Sequence, residues 1–264
     1  MKQQKKLPLI FTDLDGSLLD HSDYSYVAAK PALAEIKHRS YPLIFNSSKT
    51  RAEILPLQRG MEIVQPFVCE NGAAVYVPEP DGWRRHSFSQ PRQQLLSVLQ
   101  KIRQQYGFEF QGFADWSVEE IAAQTGLSHP EAALAAQREF TEPLLWQDSA
   151  TRLEDFQQCL AEYHLHAVQG GRFLSVMGEF DKCVGMQWLI DLYREEYGDI
   201  VTVALGDSPN DEQMLNAADI AVIIHSRRSD KLEVNAARVI RTELAGSAGW
   251  AWAMQMLLNE WENS

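Results

Sequence analysis

Positive charge is scarce in this chain. Against 36 Asp and Glu it sets 24 Lys and Arg, a formal net charge of −12 over 264 residues. A surface of that sign repels a phosphate backbone, which argues against nucleic acid as a partner but leaves room for a local basic pocket. Cysteine is rare too. Cys69, Cys159 and Cys183 are scattered, odd in number and outside metal-ligand spacing, so they read as reduced thiols in a cytoplasmic protein rather than a disulfide or zinc framework. Long hydrophobic runs are missing. Residues 1–6 are basic, but the apolar run that follows is soon interrupted by Asp13, too short for a signal peptide or membrane span, so no membrane partner is expected. Repeats, heptads and low-complexity tracts are absent as well.

What the chain does contain is an ordinary globular composition, 45% hydrophobic and 23% charged, enough for one large or two modest domains. Its first part alternates strand and helix: strands over 9–12, 42–46 and 66–69, with helices near 30–39 and 52–59. That order implies a parallel sheet with helices on its faces. The run Pro78-Glu79-Pro80-Asp81-Gly82 punctuates the pattern. The next 95 residues or so mix strands (83–88, 143–146, 165–169, 172–177) with helices (91–106, 117–124, 128–140 and 151–163). Ser128 and Glu131 have the spacing of a capping box. The alternation resumes after Asp181, with a helix over 182–197 and strands over 200–205, 220–224 and 238–241. Trp250, Met254, Leu257, Leu258 and Trp261 close the chain at helical spacing and read as core contacts. The pattern therefore reads as one α/β unit split by an inserted α+β unit.

Two acidic motifs carry the chemistry. In Asp13-Leu14-Asp15-Gly16-Ser17 the carboxylates sit two residues apart at the end of a strand, so both can lean into one site. Gly206-Asp207-Ser208-Pro209-Asn210-Asp211 repeats the arrangement after another apolar strand. Ligands of open α/β sheets dock at the carboxyl ends of strands. Carboxylates gathered there need a cation, and oxygen donors without His or Cys point to Mg²⁺ rather than zinc. Asn46-Ser47-Ser48-Lys49-Thr50 ends a third strand with hydroxyls and a cation that can meet phosphate oxygens. Alone, that loop is weak evidence, since Ser and Thr also cap helices, and Lys182 alone reads as a surface lysine.

Taken in order, Asp13-Leu14-Asp15-Gly16-Ser17, Ser47, Lys182 and Gly206-Asp207-Ser208-Pro209-Asn210-Asp211 resemble the motifs of the haloacid-dehalogenase-like phosphohydrolases. Ser17 stands where that superfamily usually has Thr, and it keeps the hydroxyl. The resemblance implies a doubly wound parallel-sheet (Rossmann-like) α/β core, residues 1–82 and 178–264, and an inserted α+β C2-type cap, residues 83–177. Asn46-Ser47-Ser48-Lys49-Thr50, Glu70-Asn71-Gly72-Ala73, Thr125-Gly126-Leu127-Ser128, Leu145-Trp146-Gln147-Asp148-Ser149 and Gly170-Gly171-Arg172-Phe173 narrow it: they are similar to those of mannosyl-3-phosphoglycerate phosphatases.

By that resemblance Asp13 is the nucleophile and Asp15 the general acid and base. Asp13, Asp15 (through its backbone carbonyl), Asp207 and Asp211 would hold Mg²⁺, with Asn210 close behind. Ser47 and Lys182 would bind the transferring phosphoryl oxygens. The substrate would be mannosyl-3-phosphoglycerate or its glucosyl counterpart, read by Ser48, Lys49, Asn71, Trp146, Asp148, Arg172 and Asn210. His225, Arg227 and Arg228 are expected as solvated loop residues. A broader sugar-phosphate phosphatase, a phosphomutase and a non-catalytic sensor are the competing readings. Retention of both Asp13 and Asp15 weighs against the sensor.

Overall fold

The computed structural model describes residues 6–170 and 172–263. Residues 1–5, Gly171 and Ser264, which the expected domain bounds and the 170–173 motif include, lie outside the described residues.

One sheet has eight strands in the order β12-β11-β10-β1-β2-β3-β4-β5. They are β1 (Leu7–Thr12), β2 (Leu43–Asn46), β3 (Phe67–Cys69), β4 (Ala74–Glu79), β5 (Gly82–Ser87), β10 (Ile200–Gly206), β11 (Ile220–His225) and β12 (Arg238–Ala245). The six strands from β12 to β3 run parallel, and β4 and β5 are antiparallel additions. Every residue of β1 from Pro8 onward is buried, as expected of a strand covered on both faces. Leu9 and Phe11 pack on one side with Met186 and Leu189 of α7 (Lys182–Tyr197) and Met214 of α8 (Glu212–Ala217). Ile10 packs on the other, with Ile36 of α1 (Lys30–His38) and Trp250, Met254 and Leu257 of α9 (Gly246–Glu262). The chain leaves β1 in one direction through β2 and returns on the other side through β10. The ends of β1 and β10 therefore flank a topological switch point, where open α/β sheets form crevices.

A second, four-stranded antiparallel sheet has the order β6-β7-β9-β8, from β6 (Phe110–Gly112), β7 (Glu142–Trp146), β8 (Leu165–Gln169) and β9 (Leu174–Gly178). α3 (Arg92–Tyr106) and α6 (Ala150–Ala161) cover one face with Leu95, Leu99, Phe156 and Leu160. The short helices α4 (Val118–Thr125) and α5 (His129–Ala135) pack on Phe113, and α5 also touches α2 (Arg51–Gly60) of the first unit.

Three expectations need correction. The strand at 83–88 belongs to the large sheet, because β5 pairs with β4 from Glu79↔Gly82 to Ala74↔Ser87. By sheet membership the inserted segment thus starts after Ser87 rather than at 83. β6 was not anticipated; its three residues are too short to show alternation. The helix expected over 128–140 stops at Ala135, because the N–H groups of Glu139, Phe140 and Thr141 donate to the Glu70 carboxylate instead of to helix carbonyls. That is tertiary bonding overriding local propensity.

Candidate active site

β1 delivers Asp13. Its N–H donates to the Leu205 carbonyl of β10 at 2.9 Å, and Thr12 is pinned from behind by the Trp250 indole N–H at 2.9 Å. Gly16 then turns the chain at φ +84°, and a Cβ there would stand 2.8 Å from Asp207 Oδ2. Glycine lets the two acidic loops approach closely.

Asp13, Asp207 and Asp211 are all buried, with carboxylate oxygens within 4.8 Å of one another. Lys182 Nζ, fully buried, donates to Asp13 Oδ1 at 2.6 Å and to Asp211 Oδ1 at 2.5 Å. Its position is set by helix α7, whose first turn is capped by the Asp181 carboxylate accepting the Cys183 N–H at 2.7 Å, and by Asn46 Nδ2 donating to the Lys182 carbonyl at 2.9 Å. Burial works against the Lys182 charge, but Asp13 and Asp211 outweigh it and hold the ammonium above the ordinary lysine value. Burial pushes the Asp13 carboxyl well up, Lys182 pulls it down, and Asp211 and Asp207 push it up again.

The other Asp211 oxygen accepts the N–H groups of Asp207 and Ser208, each at 3.0 Å. Both its oxygens are therefore engaged, Oδ1 by Lys182 and Oδ2 by the loop. Asp207 differs: Oδ1 is buried without a hydrogen-bond partner. An orphaned carboxylate oxygen beside a second buried carboxylate fits a hard cation, and the all-oxygen donor set fits Mg²⁺ chemistry better than zinc.

Asp15 lies at the mouth of the site. Lys49 Nζ stands 2.8 Å from its Oδ1 and 3.9 Å from Glu53, and lies over the Tyr24 ring at 4.9 Å. Burial opposes the Lys49 charge, yet Asp15 and Glu53 hold its pKa raised. Ser47 is fully buried behind Ser48 and Lys49, its hydroxyl accepting the Lys49 N–H at 3.2 Å. Asn71 is joined to the acidic loop through Asn210 Nδ2, which donates to its Oδ1 at 3.3 Å.

A cleft of ≈ 480 Å³ opens above these groups, between the two sheets. Asp13, Asp15, Ser48, Lys49, Asn71, Arg172 and Asn210 line it. Ser47, Lys182, Asp207 and Asp211 sit beneath it. Trp146 and Asp148 do not reach it. Pro143 of β7 faces the cleft, so alternation turns Leu144 and Trp146 to the helix-covered face, where Trp146 packs on Phe108 and Phe156. Asp148 accepts the Ser149 N–H at 2.8 Å and pairs with Arg152 at 3.2 Å, next to Ser149, which caps α6.

Among the lining residues, His21, Tyr24 and Arg138 were not foreseen, and Arg228 was expected as a solvated loop residue. His21 Nε2 lies 3.2 Å from Asp207 Oδ2, which accepts its N–H, and that hydrogen bond raises the imidazole pKa. Tyr24 covers Lys49. Arg138 enters from the segment after α5. Arg228 is half-buried and lines the cleft, whereas its neighbours His225 and Arg227 are exposed. The signal for Arg228 was its place after β11, at the carboxyl end of a parallel strand. His21 and Tyr24 offered only proximity to Asp15.

A Rossmann-like core with an acidic cluster and a buried lysine at its switch point defines a class of hydrolase. The model of the haloacid dehalogenase-like hydrolase family matches residues 10–243, and the chain belongs to that family. It is 35% identical over 269 residues to a glucosyl-3-phosphoglycerate/mannosyl-3-phosphoglycerate phosphatase of Persephonella marina, covering 96% of this chain and 98% of the relative. A protein of the same name from Methanococcoides burtonii is 34% identical over 272 residues, covering 97% and 98%. The chain is by class a phosphoric monoester hydrolase. Among solved structures, a haloalkanoate-superfamily phosphatase from Bacteroides thetaiotaomicron shares the fold at TM-score 0.70 and 17% identity, covering 98% of this chain and 97% of that one. A haloacid dehalogenase-like hydrolase from B. subtilis shares it at TM-score 0.66 and 17% identity, covering 94% and 99%. No helix among the described residues is long and apolar enough to cross a membrane.

Proposed function

We propose that the chain hydrolyses the phosphate ester of mannosyl-3-phosphoglycerate or glucosyl-3-phosphoglycerate through an aspartyl phosphate on Asp13. The observation that carries the substrate reading is the charge of the cleft wall. Lys49, Arg138, Arg172 and Arg228 surround it, and Arg172 and Arg228 face no carboxylate at ion-pair distance among the described residues. A hexose phosphate brings one anionic group to such a wall, and a glycosyl phosphoglycerate brings two. Arg172, whose Nη1 donates to the Gln124 carbonyl, has a planar fork suited to a carboxylate. The names of both curated relatives support the same substrate class.

An Asp13 oxygen attacks phosphorus as the bond to the ester oxygen breaks, and Asp15 gives its proton to that oxygen so that an alcohol departs. Asp15 then takes a proton from water, whose oxygen attacks the acyl phosphate and returns Asp13 as a carboxylate. Lys49, 2.8 Å from Asp15, holds the acid toward the leaving group. Ser47 and Lys182 offset charge on the phosphoryl oxygens. Mg²⁺, held by Asp13, Asp207 and the Asp15 carbonyl with Asp211 supporting the loop, would supply further neutralisation of the phosphate. Insertion of a specificity-bearing cap over a catalytic core, in a soluble cytoplasmic enzyme, completes the reading.

The test is a set of specificity constants, with Mg²⁺ and after chelation. The two glycosyl-3-phosphoglycerates should exceed mannose 6-phosphate and glucose 6-phosphate by about 100-fold or more, the worth of one well-held anionic group. Equal constants would instead support a broad sugar-phosphate phosphatase. Product formed without free phosphate, and only with a bisphosphate activator, would support a phosphomutase.

A further inference from the structure

Glu70 lies outside the acidic cluster and is 1% exposed, yet its carboxylate is fully engaged. Oε1 accepts the Glu139 N–H at 2.8 Å. Oε2 accepts the N–H groups of Phe140 at 3.1 Å and Thr141 at 2.8 Å, and the Thr141 hydroxyl at 2.8 Å. Arg138 Nε stands 3.7 Å from the same oxygen, and its Nη2 donates to the Ser48 carbonyl at 2.9 Å. A carboxylate this deep is tolerated because oriented donors replace its water.

The backbone of the same turn faces the catalytic loops. Glu70 N–H donates to the Lys49 carbonyl and Asn71 N–H to the Ser47 carbonyl, each at 3.0 Å. Asn71 in turn accepts from Asn210. Glu70 and Asn71 both hold positive φ, +48° and +61°. Two successive non-glycine residues keep that conformation only where their surroundings over-determine it, and such strain concentrates at functional sites.

We propose that Glu70 is a positioning residue that couples docking of the inserted unit to the geometry of the phosphate-binding loop. Its side chain fastens segment 138–141 of the inserted unit. Its backbone, with that of Asn71, fastens Ser47 and Lys49. Withdrawing segment 138–141 removes the four donors that fix the carboxylate and the Arg138 bond to Ser48, so the strained turn relaxes and the loop moves with it. The phosphate site is thereby complete only when the inserted unit is docked. The proposal rests on reading 47–49 as phosphate-binding and is independent of which sugar ester is the substrate.

The test uses the full chain and the inhibition constant of inorganic phosphate against para-nitrophenyl phosphate hydrolysis, with Ser47→Ala as the reference for a damaged phosphate loop. Thr141→Val, at a position outside the cleft lining, and Glu70→Gln should each raise that constant on the order of fivefold or more, the lower end of site-to-site coupling. The double variant should exceed the larger single effect little, because both act through one contact, and Thr141→Ser should restore the wild-type value. A merely structural role would lower the melting temperature and leave the constant within about twofold of wild type, which overturns the coupling. If Ser47→Ala has no effect, the reading of the loop fails and the coupling fails with it. Should Glu70→Gln not fold, the Thr141→Val and Thr141→Ser comparison decides alone.

Discussion

Replacing Lys182 with methionine separates charge from shape at the heart of the site. The side chain is wholly buried, 2.6 Å from Asp13 and 2.5 Å from Asp211, and methionine retains most of its volume. Removing one partner of a buried pair costs about 3–5 kcal/mol, because the remaining charge is left uncompensated. At about 2–4 °C per kcal/mol for a chain near this size, the melting temperature should fall by roughly 6–20 °C. The pH dependence has a definite sign. Burial already raises the Asp13 pKa above its unfolded value of 3.8, and Lys182 opposes that rise. Without Lys182 the folded-state pKa climbs further. A raised carboxyl lends its stability below the unfolded pKa and loses it as pH rises through the folded value. The deficit against wild type should therefore widen as pH rises above the folded-state value of the wild-type carboxyl. Turnover should fall by about 10³-fold or more, since the phosphoryl group loses a buried cation and the nucleophile becomes harder to ionise. Calorimetric scans over a pH series, with steady-state phosphate release, make the comparison. A deficit independent of pH, or a kcat within tenfold of wild type, would refute the reasoning.

Lys49→Met should lower kcat as well as raise KM for the glycosyl-phosphoglycerates, because Lys49 holds Asp15 at 2.8 Å. A residue that only reads the substrate's carboxylate would change KM alone, and steady-state kinetics separates the two. Gly72→Ala should destabilise by about 2 kcal/mol or more: φ there is +102° and a Cβ would fall 1.8 Å from the Asp181 carbonyl. Because Asp181 caps the helix that carries Lys182, kcat should fall along with the melting temperature; a wild-type kcat in a destabilised protein would contradict this. Arg103, at 2.7 Å, lowers the pKa of Asp115 below 3.8. That half-screened pair contributes less than about 1 kcal/mol, present above the unfolded pKa and lost as pH falls through the folded one. Melting curves of wild type and Asp115→Asn should thus differ slightly at neutral pH and converge once the pH falls below the folded-state value of that carboxyl.

The parts of the molecule legible in the sequence are those whose signal is local. Strands β1, β2 and β10 announce themselves as apolar runs ending in polar motifs, so the Asp13–Asp15 and Asp207–Asp211 loops could be set side by side before any coordinates, and the family resemblance alone added Ser47 and Lys182. What stayed hidden depends on distant partners. Nothing around 128–140 reveals that a glutamate near position 70 will claim the N–H groups of 139–141 and end the helix early. Trp146 and Asp148 were misjudged because motif resemblance carries no facing information, whereas β7 alternation turns Trp146 away from the cleft. Lys49 was read as a substrate contact, and its bond to Asp15 adds a role that spacing could not show. Arg228 reads as a solvated loop residue in the sequence because an arginine after a strand looks like any loop cation until the cleft is built around it.

The account turns on Asp13 as the group that takes the phosphoryl. Rapid acid quench of the enzyme during turnover of a glycosyl-3-phosphoglycerate, followed by peptide mass spectrometry, tests it most directly. The expected result is a phosphoryl group on the peptide carrying Asp13, absent from a folded Asp13→Asn variant that has lost turnover by about 10⁴-fold or more. Phosphate release with no phosphorylated Asp13 at any quench time, or an Asp13→Asn variant that keeps most of its activity, would contradict it.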